Sequence, residues 1–289
     1  MFKRKILSKL EAWKQDERHK PLILRGARQV GKTTVVNEFS SQFDNYLYFN
    51  LEISESVRLF EMDIPLNDLV NMLFASLGKS QKKGSTLIFI DEIQNSPKTV
   101  ALLRYFYEQR PDLYVIAAGS LLENLVDVNV SFPVGRVMYL ALRPCSFYEF
   151  LGAIGKNNLL TILSQKAEYS IAFHEQLMHQ FNQYTIIGGM PEAVQHYAET
   201  QDIIAIEDVY ETLVQAYKDD SEKYARSNKL TDVVRFILSY GWAFSGETIT
   251  LGNFANSGYK SREVGEAFRL LEKAMILELV YPVSSTQMP

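Results

Sequence analysis

An eight-residue stretch near the amino terminus limits the folds open to this chain more than any other part of it. It reads Gly26-Ala27-Arg28-Gln29-Val30-Gly31-Lys32-Thr33 and directly follows the apolar run Leu22-Ile23-Leu24. The spacing fits G-x-x-x-x-G-K-[ST], a loop whose backbone N–H groups surround phosphate oxygens between a buried strand and a helix. Glycine permits the tight curl, and the helix that follows points its positive end at the same place. Residues 26–33, with Thr34, are therefore predicted to bind the phosphates of a nucleotide.

Residues in this loop and residues after a later apolar run are predicted to have different roles in phosphate chemistry. Lys32 is predicted to reach the β- and γ-phosphates, and the Thr33 hydroxyl to sit on Mg²⁺. Asp91 and Glu92 directly follow the apolar run Thr86–Ile90, so they should emerge at the carboxyl edge of a parallel sheet, where such folds bind ligands. We predict that Asp91 holds Mg²⁺, through water, and that Glu92 polarises the attacking water as a general base.

Bulk composition excludes several classes of protein. The chain has 289 residues, of which 47% are hydrophobic, a proportion that favours a folded chain of about two domains over disorder. Cys145 is the only cysteine, which excludes an intramolecular disulfide and fits a reducing cytoplasm. The net charge of −4 is mild, and neither a secretory signal nor an apolar run of membrane-spanning length is apparent. We therefore expect a cytoplasmic protein without a membrane partner.

Strand-like and helix-like segments alternate over the first half of the chain, a pattern typical of a parallel sheet with helices on both faces. The predicted strands are Leu22–Leu24, Tyr46–Leu51, Thr86–Ile90, Leu113–Ala118 and Val137–Leu142. The predicted helices are Lys3–Gln15, Lys32–Phe43, Leu66–Leu77, Lys98–Glu108 and Leu121–Asp127. The fold class is therefore predicted to be α/β.

The second half reads as helical, and its pattern changes once more near Asn228. Helices are predicted at about Ser146–Leu151, Glu168–Ile186, Glu192–Glu199 and Ile203–Ala225, interrupted by Gly188-Gly189-Met190-Pro191. The last part reads as helices Asp232–Tyr240, Leu251–Asn256 and Ser261–Ala274, followed by a strand Ile276–Val283, the outline of a winged helix-turn-helix. We predict three domains: an α/β core at 1–145, a helical lid at 146–227 and a winged helix-turn-helix at 228–289.

Three further polar residues are candidates for the site. Ser120 ends a predicted sheet strand, where it could contact the γ-phosphate or the water, although it could equally cap a helix. Arg136 precedes the last strand and could reach the γ-phosphate of a neighbouring subunit in a homo-oligomer, although a surface role is equally open. Asn50 closes a strand and could hydrogen-bond Glu92.

The carboxyl-terminal part bears on partners. Between Lys229 and Val283 there are six lysines and arginines and six aspartates and glutamates. Glu263 and Glu266 lie near the start of the predicted recognition helix, where DNA phosphates and base edges would come. This part could therefore contact DNA or a protein partner, and the neutral balance argues against tight binding of duplex DNA by this part alone.

The chain resembles the prokaryotic AAA-family predicted ATPases whose carboxyl-terminal portion is a domain of unknown function. The resemblance rests on the phosphate loop and on the segments Ile90-Asp91-Glu92-Ile93-Gln94, Ala118-Gly119-Ser120, Val134-Gly135-Arg136, Pro144-Cys145-Ser146-Phe147-Tyr148-Glu149-Phe150 and Gly188-Gly189-Met190-Pro191-Glu192-Ala193. It implies a P-loop core, a helical lid and a winged helix, with Pro191 in the lid near the nucleotide. Family members typically continue into a restriction-nuclease-like domain, whereas this sequence stops at Pro289. We therefore expect that the chain is either truncated before that domain or lacks it, and no nuclease activity is predicted.

We therefore predict an ATPase that uses ATP and Mg²⁺ to drive a conformational switch. Two alternatives stay open from the sequence. One is a P-loop kinase of a small molecule, a class that usually lacks a glutamate after the Mg²⁺-binding aspartate, here Glu92 after Asp91, and carries an arginine-rich lid. The other is a nucleic-acid-binding adaptor that uses ATP only as a ligand.

Overall fold

The computed structural model describes residues 2–119, 133, 135–165, 171–225 and 227–282, with side chains at all of these except 222–224. The chain divides into two units, Met1–Glu211 and Thr212–Pro289. The three predicted domains stay a prediction. Among the helices of the described part, none combines the length and apolar character needed to span a bilayer.

A five-stranded parallel sheet forms the centre of the first unit. Its strands are β1 (Leu22–Arg25), β2 (Asn45–Asn50), β3 (Thr86–Asp91), β4 (Leu113–Gly119) and β5 (Met138–Ala141). They lie in the order β2-β3-β4-β1-β5, with every neighbouring pair parallel. All six residues of β3 are buried, as a central parallel strand with both faces covered requires. The five strands predicted for the first half of the chain are confirmed to within a residue or two at each end.

Parallel neighbours need crossover connections, and helices supply them on both faces of the sheet. These helices are α1 (Ile6–Gln15), α2 (Lys32–Ser40), α3 (Ser54–Phe60), α4 (Leu66–Ser76) and α5 (Pro97–Gln109). Successive strand residues face opposite sides, so Val115 joins the core formed with α3, α4 and α5, whereas Tyr114 packs edge-on against Trp13 of α1. The short helix α3 was not predicted. The predicted helix Leu121–Asp127 lies outside the described residues.

In the described part of the first unit, only helices and one 3₁₀ turn follow β5. They are α6 (Phe147–Ala153), α7 (Asn157–Leu163), α8 (His174–Ile187), α9 (Pro191–Thr200), a 3₁₀ turn (Ile204–Ile206) and the start of α10 (Glu207–Tyr224). Helix α6 begins with a reciprocal capping box between Ser146 and Glu149. Buried Phe150 of α6 packs with Ile187, Val194 and Tyr197 in a separate apolar cluster. The sequence did not predict α7.

The second unit contains the rest of α10 and the amphipathic helices α11 (Asn228–Tyr240) and α12 (Ser261–Lys273), with 3₁₀ turns at Gly241–Phe244 and Phe254–Asn256. Helices α11 and α12 pack together through buried side chains. The predicted helix Leu251–Asn256 shortens to the second of these turns. The predicted strand Ile276–Val283 is not formed over residues 276–282. A strand needs a neighbour to accept its backbone hydrogen bonds, and the described part of this unit offers no second strand. Its helices therefore appear without the expected wing.

Candidate functional site

The predicted phosphate loop lies between the end of β1 at Arg25 and the start of α2 at Lys32. Gly31 has φ +89° and Gln29 has φ +63°, so the chain passes twice through the left-handed region to close the curl. A Cβ at Gly26 would overlap the carbonyl oxygen of Leu142. Both glycines are thus required by geometry, the first by close approach and the second by its φ angle.

The Lys32 side chain lies inside the loop that precedes it. Its ammonium donates hydrogen bonds of 2.9 Å to the carbonyl oxygens of both Gly26 and Ala27. The residue is only 7% exposed, and burial lowers the pKa of its ammonium, an effect that the negative charges of Glu92 and Asp91 oppose. A buried cation facing two carboxylates is suited to receive a phosphate group.

Thr33 and Asp91 meet directly across the sheet edge. The Thr33 hydroxyl donates a 2.6 Å hydrogen bond to Oδ2 of Asp91, which is itself almost completely buried. Burial raises the pKa of the Asp91 carboxyl, although the hydrogen bond from Thr33 acts to lower it. A hydroxyl oxygen beside a carboxylate is the donor set that Mg²⁺ prefers when it also binds substrate phosphates. The described residues contain no group of three or more His, Cys, Asp or Glu side chains placed to hold a metal alone.

Glu92 follows β3 in a backbone conformation that few residues adopt. Its φ of 52° and ψ of 43° place it in the left-handed region, at a cost of about 1–2 kcal/mol for a residue with a Cβ. Its Oε2 accepts a hydrogen bond from Nε2 of Gln94. Asn50, the partner predicted from the sequence, instead accepts a hydrogen bond from the Glu52 backbone N–H. Asn50 ends β2 beside Asp91, but the tight turn after β3 brings Gln94 nearer to the carboxylate.

Lys32, Thr33 and Glu92 line one cavity of about 640 Å³, and Asp91 adjoins it through its hydrogen bond with Thr33. Its wall includes Arg28, Gln29, Gly31, Lys32, Thr33, Thr34 and Glu92 from the predicted set, together with Pro191 at the start of α9. It also includes residues that the sequence analysis did not select: Phe2, Arg4, Val35, Glu38, Glu192 and Gln195. Only tertiary packing brings the amino-terminal residues and the first turn of α9 to the phosphate loop, because both are distant from it in sequence.

Arg136, a predicted candidate for the site, is not part of this arrangement. Arg136 precedes β5 and therefore lies at the amino end of the parallel sheet, whereas the phosphate loop follows the carboxyl end of β1. There Lys20 donates to the carbonyl of neighbouring Gly135, and the Arg136 guanidinium donates to Glu108 at 2.8 Å. This position is remote from the cavity of its own chain, so its action on a neighbouring subunit stays a prediction. Ser120 lies outside the described residues.

Comparisons with known proteins identify the two parts of the chain. A family model described as an AAA domain matches residues 18–151, and one described as a domain of unknown function (DUF8612) matches residues 178–288. Among solved structures, a Walker-type ATPase of Pyrococcus abyssi is 16% identical, with a TM-score of 0.54, over 95% of this chain and 90% of that chain. PCH-2 of C. elegans is 11% identical over 69% of this chain and 63% of its own, and its TM-score of 0.38 is too low to indicate a shared fold. A search of curated proteins gave no significant match.

The strand order, the curled loop after β1 and the acidic residues Asp91 and Glu92 at the end of β3 agree with the AAA-domain match. The likeness to the archaeal structure shows a common P-loop NTPase fold. The chain thus combines a match to an AAA domain with a match to a domain of unknown function, which is the arrangement of the AAA-family predicted ATPases that the sequence resembles.

Proposed function

We propose that this chain binds ATP together with Mg²⁺ and hydrolyses the γ-phosphate, and that the helical part of the first unit responds to the nucleotide. The hydrogen bond between Thr33 and Asp91, with buried Lys32 in the loop beside them, is the observation that carries the proposal. It unites a phosphate-binding cation, a hydroxyl and a carboxylate at one sheet edge.

In this proposal Lys32 and the loop N–H groups hold the β- and γ-phosphates. Thr33 would bind Mg²⁺ directly and Asp91 through water, and the ion would neutralise negative charge on the phosphate oxygens. Water attacks the γ-phosphorus, the bond to the β,γ-bridging oxygen breaks, and ADP leaves. Glu92 accepts the proton of the attacking water, a role that typically contributes about 10²–10⁴-fold to the rate. Its Gln94 hydrogen bond would orient the carboxylate.

The response of the helices is supported by the position of Pro191. This residue opens α9 and lines the same cavity as the phosphate loop. A nucleotide that contacts both sides of the cavity would favour one arrangement of α9, which is the condition for a ligand-driven switch.

The test is phosphate release from ATP by the wild-type chain, Lys32→Ala and Glu92→Gln. We expect Lys32→Ala to lose nucleotide affinity and Glu92→Gln to bind ATP but to turn over about 10²–10⁴-fold more slowly. Exposed residues of the same types provide matched controls, Lys9→Ala in α1 and Glu55→Gln in α3, which should behave as wild type. Unchanged turnover in both site variants would refute the proposal, and transfer of phosphate to an added metabolite would favour a kinase.

Partners of the second unit stay predictions. The Glu263 carboxylate in the first turn of α12 pairs with Lys229, so one of the six acidic charges is locally compensated. DNA or a protein partner could bind here, and binding that weakens steeply with salt would indicate DNA. A homo-oligomer and a cytoplasmic location are likewise proposed from the sequence alone.

A further inference from the structure

The Arg4 side chain is buried at a junction of three segments that are far apart in sequence. Its Nη1 donates to the carbonyl oxygen of Val30 at 3.1 Å, within the phosphate loop. Its Nη2 donates to the carbonyl oxygen of Arg143 at 2.7 Å, just after β5. Its Nε donates to Oε1 of Glu149 at 3.0 Å, in the first turn of α6. The Arg4 and Glu149 side chains are 6% and 8% exposed, so this is a buried ion pair.

Each oxygen of the Glu149 carboxylate accepts two hydrogen bonds. Oε1 also accepts from the Lys5 backbone N–H at 2.8 Å, and Oε2 accepts from the Ser146 N–H at 2.8 Å and its hydroxyl at 3.0 Å. Burial acts to raise the pKa of Glu149, but these backbone hydrogen bonds and the charge of Arg4 outweigh it and hold the pKa below its usual value. The pair therefore stays ionised, and hydrogen bonds to other groups fix the position of both the guanidinium and the carboxylate.

The contact with Val30 bears on the phosphate loop because a peptide group is planar and trans. The carbonyl oxygen of Val30 and the N–H of Gly31 belong to the same plane and point in opposite directions. Anchoring the oxygen on Arg4 therefore turns the Gly31 N–H away from Arg4. Gly31 lines the cavity, and the backbone amides of such a loop are the groups that bind phosphate oxygens.

The segment after β5 that accepts a hydrogen bond from Arg4 also donates one to the turn before α9. The Cys145 N–H donates to the carbonyl of Gly189 at 2.6 Å, two residues before Pro191. Pro191 lies beside the phosphate loop. A Cβ placed at Gly31 would be 3.8 Å from Pro191 Cγ and 3.7 Å from Arg4 Nη1. One guanidinium group thus binds both the phosphate loop and the segment after β5 to which the Pro191 turn is hydrogen-bonded.

We propose that Arg4 is a positioning residue that orients the Val30–Gly31 peptide and aligns the Pro191 turn with the phosphate loop, through Val30, Arg143 and Glu149. The inference rests on the proposed function, because the conformation that it fixes is the one that receives the phosphates. Arginine suits this place better than lysine, because a planar guanidinium donates in three directions at once.

The test compares ATP affinity, turnover and stability of the full chain in Arg4→Met and Arg4→Lys. An amide that binds substrate and transition state equally changes affinity rather than kcat. We therefore expect Arg4→Met to raise the Kd for ATP about tenfold or more, the equivalent of one lost charge-assisted hydrogen bond, with kcat at saturating ATP within about threefold of wild type. Arg4→Lys keeps the charge beside Glu149 but has one donor centre, and it should raise the Kd by an intermediate factor.

A control separates positioning from loss of stability. Leu69→Ala removes a buried side chain of α4 that does not line the cavity, and it should lower stability. If Arg4 only stabilises the fold, all three variants bind ATP with wild-type Kd below their unfolding transitions, and the inference is overturned. If Arg4→Met does not fold, Arg4→Lys alone decides it by the same comparison. A wild-type chain that binds no ATP would refute the proposed function and this inference together, whereas normal binding with unaffected Arg4 variants would refute only the inference.

Discussion

Adding one methyl group at Gly189 should disturb the packing of the helices that follow β5. A Cβ there would overlap the carbonyl oxygen of Cys145 and lie 3.1 Å from Cβ of Pro144 and 3.2 Å from the Cys145 nitrogen. Two of these three atoms belong to the backbone, so no side-chain rotation relieves the overlap. Gly189→Ala must instead move the two segments apart by roughly 1 Å to restore ordinary contact distances.

That movement breaks defined interactions. The Cys145 N–H donates to the Gly189 carbonyl at 2.6 Å, and the Tyr184 hydroxyl donates to the Cys145 carbonyl at 2.7 Å. Losing both hydrogen bonds costs about 2 kcal/mol, and the forced displacement adds about 1–3 kcal/mol. Alanine has less conformational entropy than glycine in the unfolded chain, which offsets about 0.4–1 kcal/mol of this destabilisation. The expected destabilisation of the first unit is therefore about 3 kcal/mol.

Gly152→Ala is the matched control. Gly152 lies within α6, and a Cβ there would meet Leu160 Cδ1 at 3.5 Å, an ordinary van der Waals contact. Because glycine is disfavoured inside a helix, this substitution should stabilise the unit by about 0.5–1 kcal/mol. The two variants make the same chemical change with opposite expected signs.

Urea unfolding followed by tryptophan fluorescence measures both effects. The chain has two tryptophans, and a Trp242→Phe background leaves Trp13, buried in the first unit, as the probe. With a slope of about 2–3 kcal/mol per molar urea, Gly189→Ala should unfold about 1 M earlier than the parent. Gly152→Ala should unfold slightly later. Equal urea midpoints for the two alanine variants would refute the reasoning, because the close contacts at Gly189 would then have no effect on stability.

Two further predictions concern the acidic edge of the sheet and a buried helix cap. Because burial raises the pKa of Asp91, its carboxylate should take up a proton at a higher pH than an ordinary aspartate. Mg²⁺ activation of hydrolysis, measured over a series of pH values, should therefore weaken as the pH falls, and Asp91→Asn should lack this pH dependence. Ser96 is fully buried at the N-cap of α5, where it accepts hydrogen bonds from the backbone and hydroxyl of Thr99 and donates to Glu61 at 3.0 Å. Ser96→Ala should therefore destabilise the first unit by about 1–2 kcal/mol in the same urea assay, and an unchanged midpoint would contradict this account of the cap.

The sequence was most informative where local constraints act alone. The phosphate loop could be recognised because its glycines and its Lys32-Thr33 pair must occupy fixed positions within eight residues. Strand β3 could be recognised because a strand covered on both faces is apolar throughout. The proximity of Asp91 to Thr33 then followed, since carboxyl ends of parallel strands share one edge of the sheet.

The same reasoning was less successful where a partner from elsewhere decides the outcome. Residues 276–282 have the composition of a strand but form none, because strand formation depends on an available neighbour rather than on propensity. Gln94 rather than Asn50 contacts Glu92, because the left-handed turn at Glu92 redirects the chain. The capping box from Ser146 to Glu149 was visible as a pattern and could have drawn attention to that glutamate.

The sequence by itself therefore determined the parallel α/β core, the phosphate loop and the acidic residues that face it, because each depends on neighbours a few residues away or on strand direction. Tertiary structure alone decided which distant segments complete the site. Arg4 and Glu149 are 145 positions apart, yet they form one buried ion pair at the phosphate loop. No local pattern encodes that contact, because a buried charge is stabilised by whichever opposite charge and carbonyl oxygens the packed chain brings within hydrogen-bond distance.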